Sequence, residues 1–153
     1  MPGYKGHLSG GLVLFVSCLL LVKQYYCPSL CTIIEWLSCT LLGSVFPDID
    51  VKSKGQKWFY WLLLVLFLYL FACRSYFILS IFGIIALVPM LVRHRGLFHK
   101  AWFILLIGAT IVMLTAAVAP SYVTRVSFDL FFFLIGAFSH LWLDFGFRRM
   151  LRW

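Results

Sequence analysis

Long runs of apolar residues, separated by short polar segments, make up most of this chain. Each run holds roughly 15–20 residues, close to the ~20 that an α-helix needs to cross the hydrocarbon core of a bilayer. The runs are continuous and do not alternate at every second residue, which favours helices over the strands of a membrane barrel. There are six of them, and they cover residues 8–22, 30–46, 58–73, 76–92, 101–119 and 128–147. We predict loops at residues 51–57 and 121–127, and the pair Gly10 and Gly11 could make the first run partly re-entrant.

The overall composition supports the same interpretation. Hydrophobic residues make up 63% of the chain and the mean hydropathy is +1.01, whereas soluble domains are nearer 45–50% apolar. Backbone groups inside a bilayer must be satisfied within the protein, so only helices or a closed barrel can span it. We therefore predict an all-α fold: a polytopic membrane helical bundle of about six transmembrane helices, forming a single integral membrane domain over residues 1–153.

The net charge of +8 is explained better by membrane topology than by a nucleic-acid partner. With six spans, most lysines and arginines fall on the side that also holds both termini, and basic residues mark the cytoplasmic side of a membrane protein. We therefore predict that both termini are cytoplasmic, that the partner is the lipid bilayer and that no nucleic acid is bound. The cations on that side are Lys5, Lys52, Lys54, Lys57, Arg93, Arg95, Lys100, Arg148, Arg149 and Arg152; the other side has Lys23, Arg74 and Arg125.

The five cysteines show no CxxC pair and no zinc-finger spacing. Cys27 and Cys31 lie on either side of Pro28 in a predicted loop, and the sequence leaves open whether they form a disulfide.

All four histidines and three of the five carboxylates lie at the predicted cytoplasmic ends of the runs. Burying a charged carboxylate at a membrane boundary costs free energy, and a divalent cation shared with neutral imidazoles would offset that cost. Mixed nitrogen and oxygen ligands favour Zn, Mn or Fe. We predict one or two ions of this kind, held by His7, Asp48, Asp50, His94, His99, His140 and Asp144.

Each part of this set also has a simpler interpretation. His140 and Asp144 are four residues apart on one helix face, so they could grip an ion or hold a helix end through a hydrogen bond. Asp48 and Asp50 follow Pro47 and could cap a helix-end turn. His94 and His99 could be interfacial residues.

A metal at this boundary indicates hydrolysis as the chemistry. A divalent ion acidifies water and stabilises negative charge on the attacked group, and a nearby side chain accepts the proton. Arg95 could clamp a phosphate through its guanidinium group. The candidate catalytic residues are Asp50, Arg95 and His99. The site would reach headgroup depth, since His140 lies roughly 10 Å inside the end of the last run, and this favours a phospholipid or lipid-linked substrate.

At these residues the chain resembles the membrane-bound metal-dependent hydrolases of the YdjM-type group, known for a LexA-regulated inner-membrane member. The resemblance extends over nearly the whole chain and implies a bacterial inner-membrane hydrolase with a divalent metal at the seven residues given above. Three positions depart from the usual pattern: Val51 replaces a His, Phe98 a Thr and Lys100 a Ser. Four motifs carry the resemblance: Gly6-His7, Pro47-Asp48-Ile49-Asp50, His94-Arg95-Gly96-Leu97-Phe98-His99 and Ser139-His140-Leu141-Trp142-Leu143-Asp144.

Two further interpretations remain open at this point. A proton or divalent-metal transporter would place ionisable residues near the bilayer midplane, but the centres of the runs lack them. A non-enzymatic membrane protein could use the polar cluster for binding or assembly. The His-x-x-x-Asp pair also resembles that of the all-helical zinc phospholipases C and nucleases, which implies phosphoester cleavage.

Overall fold

The computed structural model describes residues 3–50, 54–74, 83 and 97–146, and every regular element in these ranges is helical. Short 3-10 helices at Phe46–Asp50, Leu97–His99 and Pro120–Tyr122 flank the longer ones. The α-helices are α1 (Tyr4–Val22), α2 (Leu30–Val45), α3 (Lys54–Ala72), α4 (Ala101–Val118) and α5 (Val123–Phe145).

Four helical segments in the described part of the chain are long and apolar enough to cross a membrane: Tyr4–Val22, Leu30–Asp48, Ala101–Val118 and Pro120–Phe145. The predicted all-helical membrane fold is confirmed in this form. The third predicted span corresponds to α3, and the fourth, 76–92, lies outside the described residues apart from Gly83. Six spans and cytoplasmic termini therefore stay predictions.

Several predicted boundaries are wrong. Residues 51–57 were expected to form a loop, but Lys54–Lys57 make the first turn of α3. Residues 121–127 were also expected to form a loop, but α5 begins at Val123. Hydropathy detects the segment that lies in hydrocarbon, whereas helical hydrogen bonding continues into the polar residues at the interface. α3 and α5 therefore begin before the apolar runs that predicted them.

The chain divides into two compact units, and the first, Met1–Pro47 with Phe98–Trp153, contains α1, α2, α4 and α5. In this unit α5 packs against each of the other three helices. The second unit, Asp48–Leu97, contains α3, where Trp61, Leu68 and Tyr69 are exposed.

The crossing of α2 and α5 depends on two glycines. A Cβ atom on Gly43 would collide with the backbone carbonyl oxygen of Phe133, and one on Gly136 would collide with that of Thr40. Small residues allow helices in a membrane to approach until their backbones touch. The two helices therefore pack with no side chain between them at this point, which fixes their relative position.

Aromatic side chains fill the core of the first unit beyond this crossing. Trp36 and Phe132 stack with ring centroids 4.7 Å apart, and Phe15 contacts Phe132 at 5.6 Å. A second buried group joins α4 to α5 through Ile104, Ala137 and Leu141. Together these contacts hold the four helices in a register that aligns the end of α5 with the start of α1.

Candidate metal centre

Four of the sequence-predicted ligands meet in the first unit. His7 lies in the first turns of α1, His99 in the 3-10 helix before α4, and His140 and Asp144 in the last turns of α5. The three histidines are at most 3% exposed, and the Asp144 side chain is 6% exposed. Burial removes these polar side chains from water, and hydrogen-bond partners or an ion must offset the free-energy cost. The fold therefore provides such partners, or an ion, at this cluster.

Close packing of α1 positions His7. A Cβ atom on Gly10 would lie 2.7 Å from the Leu143 side chain, and one on Gly11 would lie 2.9 Å from Ser44 Cβ. The sequence suggested that this glycine pair could make the first run partly re-entrant. Instead α1 is one 19-residue helix, and its glycines allow it to approach α2 and α5. The His7 ring consequently stacks on His140, with centroids 3.8 Å apart and planes at 17°.

The protonation of His140 follows from one hydrogen bond. Its Nδ1 lies 2.8 Å from the backbone carbonyl oxygen of Ser44. A carbonyl only accepts, so Nδ1 carries the proton and donates it. In the neutral ring this leaves the Nε2 lone pair directed into the cluster, which is the tautomer that metal-binding histidines commonly show.

Asp144 lies between the two stacked rings. Its Oδ1 is 3.5 Å from His7 Nε2, and its Oδ2 is 3.4 Å from His140 Nε2. Charge-assisted hydrogen bonds of this type are shorter, about 2.7–2.9 Å. Two ligands of one tetrahedral ion are about 3.3 Å apart when metal–ligand bonds are near 2.0–2.1 Å. The observed separations therefore fit ligands spaced around a cation better than a hydrogen-bonded pair.

His99 reaches the cluster from a third direction. Its ring centroid is 5.7 Å from that of His140, with the planes at 73°. The preceding residue, Phe98, is buried and makes edge-on contacts with Phe46 at 5.5 Å and Phe103 at 5.8 Å. Phe98, which departs from the related pattern, thus anchors the 3-10 helix that carries His99 in an aromatic pocket.

Three residues of the first unit form the core of the cluster. One potential ligand atom from each of His99, His140 and Asp144 lies within 4.8 Å of the other two. Asp48, a further predicted ligand, follows Pro47 in the 3-10 helix that continues from α2. Imidazole nitrogens with carboxylate oxygens are a ligand set suited to Zn²⁺, Mn²⁺ or Fe²⁺. This cluster of Asp and His residues has the composition and spacing to hold a metal ion.

The remaining sequence-predicted site residues are not tested by this geometry. Asp50 belongs to the 3-10 helix after α2, but its side chain lies outside the described residues, as do His94 and Arg95. Sequence reasoning missed the role of Ser44, whose backbone carbonyl orients His140. No residue-type signal marks such a contact, because any residue at position 44 presents a carbonyl. The five cysteines are free thiols, and Cys27 and Cys31 are exposed.

Comparison with known proteins identifies the family. No curated protein and no solved structure gives a significant match to the chain. A family model described as YdjM inner membrane protein matches residues 1–150, which includes every residue of the cluster. The resemblance noted in the sequence is confirmed at the level of the family, and with its apolar helices the protein is a multi-pass inner membrane protein. The chain belongs to the YdjM inner membrane protein family.

Proposed function

We propose that this protein is a metal-dependent hydrolase that acts at the cytoplasmic face of the membrane on a phosphoester or lipid-linked substrate. The observation that carries the proposal is the placement of Asp144 opposite His140 Nε2 at 3.4 Å. Because Nδ1 donates to Ser44, a neutral His140 directs a lone pair at a carboxylate oxygen. Two acceptors that face each other repel unless a proton or a metal cation lies between them, and 3.4 Å is longer than the about 2.7–2.9 Å of a charge-assisted hydrogen bond.

The chemistry of such a site is hydrolytic. A divalent ion here would acidify water and stabilise negative charge on the group under attack. Asp144 and His140 would hold the ion, and Ser44 would keep His140 in its binding tautomer through the 2.8 Å hydrogen bond. Asp50 and Arg95 stay our candidates for proton transfer and phosphate binding, and His94 stays a proposed ligand. We assign His99, which the sequence predicts both as a ligand and as a catalytic residue, to the ligand set.

The position of the cluster in the bundle favours a lipid-linked substrate. His140 is five residues before the end of α5 at Phe145, roughly 7–8 Å along the helix axis. Trp142 and Leu143 next to it are 53% and 43% exposed. Trp residues commonly lie at the headgroup level of a bilayer. A substrate with a polar head and an apolar tail matches this combination of buried polar cluster and exposed apolar rim.

Metal content is the decisive first measurement. The full chain would be purified in detergent and analysed for Zn, Mn and Fe beside Asp144→Asn and Asp129→Asn. Both variants remove one carboxylate from α5 with little change in volume, but Asp129 is fifteen residues from Asp144, roughly 22 Å along the helix. We expect stoichiometric metal in the parent and in Asp129→Asn, and its loss in Asp144→Asn.

The same proteins would then be assayed for hydrolysis. The probes are phosphatidic acid and a polyprenyl diphosphate in mixed micelles, with inorganic phosphate as the readout. We expect the parent protein to release inorganic phosphate from these probes. EDTA should abolish this release, and so should the Asp144→Asn substitution. No stoichiometric metal after reconstitution would overturn the proposal.

One alternative has a specific observation in its favour. The side chains of His7, His99, His140 and Asp144 are nearly fully buried, and closed sites are typical of structural metals. An ion that only holds α1 to α5 would be lost in Asp144→Asn together with thermal stability. If the ion has only this structural role, the parent protein will hydrolyse neither lipid probe.

A further inference from the structure

We propose that the site binds two metal ions bridged by the two carboxylate oxygens of Asp144. This inference rests on the metal site of the proposed function and specifies how many ions it takes and how they differ. The structural basis is the juxtaposition of three side chains from the first unit: His7 on α1, and His140 and Asp144 on α5.

The first argument is the direction of the imidazole lone pairs. The rings of His7 and His140 are stacked 3.8 Å apart and differ in plane by 17°. A nitrogen lone pair lies in the plane of its ring, and both Nε2 atoms face the Asp144 carboxylate, so the two lone pairs lie in nearly parallel planes about one ring spacing apart and point towards the same group. One ion 2.0–2.1 Å from both nitrogens needs lone pairs that converge. Lone pairs in nearly parallel planes suit two ions separated by about one ring spacing, and two-metal sites have ions about 3.5–4 Å apart.

The second argument is that the two oxygens of the Asp144 carboxylate face different imidazole rings. Oδ1 faces His7 Nε2 at 3.5 Å, and Oδ2 faces His140 Nε2 at 3.4 Å. Each oxygen thus has its own imidazole at the separation expected for neighbouring ligands of one ion. A single carboxylate that offers one oxygen to each of two cations is a bridging ligand, and it offsets part of the repulsion between them.

The two positions are unequal. Within the first unit, His99, His140 and Asp144 offer ligand atoms within 4.8 Å of one another, and His7 is not in that group. With Asp48, which the sequence predicts as a ligand, four protein ligands would fill a tetrahedral ion and make it a holding position. Among the described residues of the first unit, His7 and Asp144 would hold the other ion, and we place water and substrate at its remaining positions. This second ion is therefore the one that we assign to substrate activation.

The charge balance specifies the substrate further. Two divalent cations carry four positive charges, and the three carboxylates of the predicted ligand set, Asp48, Asp50 and Asp144, offset at most three of them. The excess charge at a largely buried site favours an anionic ligand, since Coulomb interactions are strong where water is excluded. A phosphate or diphosphate headgroup provides that charge, so the two-ion arrangement narrows the proposed substrate class to phosphoesters.

Binding of Mn²⁺ tests the inference without relying on activity. Metal-free full-length protein in detergent would be titrated with MnCl₂, and bound metal would be measured by elemental analysis and electron paramagnetic resonance. We expect two equivalents in the parent, with the spectrum of exchange-coupled ions at saturation. His7→Ala should bind one equivalent and give the spectrum of an isolated ion. Asp129→Asn, the matched control on α5, should behave as the parent does.

Each failure has a distinct result. One equivalent in the parent, unchanged in His7→Ala, overturns the two-ion site but leaves the proposed metal-dependent function intact. No bound Mn²⁺ or Zn²⁺ in the parent overturns both. If His7→Ala does not fold, His7→Asn replaces it, and the saturated parent decides by itself: an isolated-ion spectrum with one equivalent bound contradicts the inference.

Discussion

His140 and Ser44 are joined by a hydrogen bond from a side chain on α5 to the backbone of α2, although they are 96 positions apart in the chain. The bond places the proton on Nδ1 and directs Nε2 towards Asp144. Metal-binding histidines owe much of their affinity to such orienting contacts. The backbone crossing at Gly43 and Gly136 therefore determines both how the helices pack and how the site is oriented.

We predict that His140→Ala loses both bound metal and stability. The substitution leaves the buried Ser44 carbonyl without its donor, which costs about 1–3 kcal/mol. Thermal unfolding in detergent with EDTA present isolates this loss from the contribution of bound metal. Ser139→Ala is the matched control, because it also removes a buried polar group from α5, one whose hydrogen bond in the described part of the chain is to the Gly136 carbonyl of its own helix. Full metal occupancy in His140→Ala would contradict the role given to Nε2.

A methyl group at the helix crossing should be far more damaging than one elsewhere. Gly136→Ala places a Cβ atom against the backbone of α2, where no side chain can move aside, and overpacking of this type costs roughly 1–3 kcal/mol or more. In Gly108→Ala, among the described residues, the new Cβ atom would contact the flexible Leu134 side chain, at 3.8 Å. We expect a large fall in melting temperature for the first variant and little change for the second. Equal melting temperatures would show that the crossing is not tightly constrained.

The ion pair at the other end of the bundle should stabilise the fold without affecting the metal. The Arg125 guanidinium donates to both oxygens of Glu35, from Nη2 at 2.8 and 3.0 Å. Glu35→Arg and Arg125→Glu should each lower the melting temperature, and the double swap should recover part of the loss. Metal content should stay at the parent value in all three. Loss of metal in the swapped protein would reveal a coupling between the two ends that the contacts do not predict.

Membrane orientation is testable with two thiols at opposite ends of α1. Gly3→Cys and the native Cys27 would each be kept as the single cysteine of an otherwise cysteine-free chain. The charge asymmetry predicts a cytoplasmic N-terminus. A membrane-impermeant maleimide should then label Cys27 in spheroplasts, whereas Gly3→Cys should react only after the membrane is opened. The reverse pattern would place the metal cluster on the periplasmic side.

Much of the fold followed from hydropathy alone. Continuous apolar runs predicted membrane helices, and α1, α2, α4 and α5 overlap the runs that predicted them. The errors lie at polar ends, as at Lys54–Lys57 and Val123, because hydropathy does not report hydrogen bonding. For the site, charge and topology grouped His7, His99, His140 and Asp144 correctly in space, since membrane spans restrict each residue to one side or the other.

The sequence by itself determined the helical membrane fold, the family and the residues that converge at one end of the bundle, because each follows from residue type and order. Only the tertiary structure decided that His7 stacks on His140, that Asp144 divides its oxygens between them and that the Ser44 carbonyl orients the ring. These relationships depend on rotation and approach of helices. The glycine contacts at Gly10, Gly11, Gly43 and Gly136 set them, and hydrophobic patterning along a chain does not encode the partner that a glycine will meet.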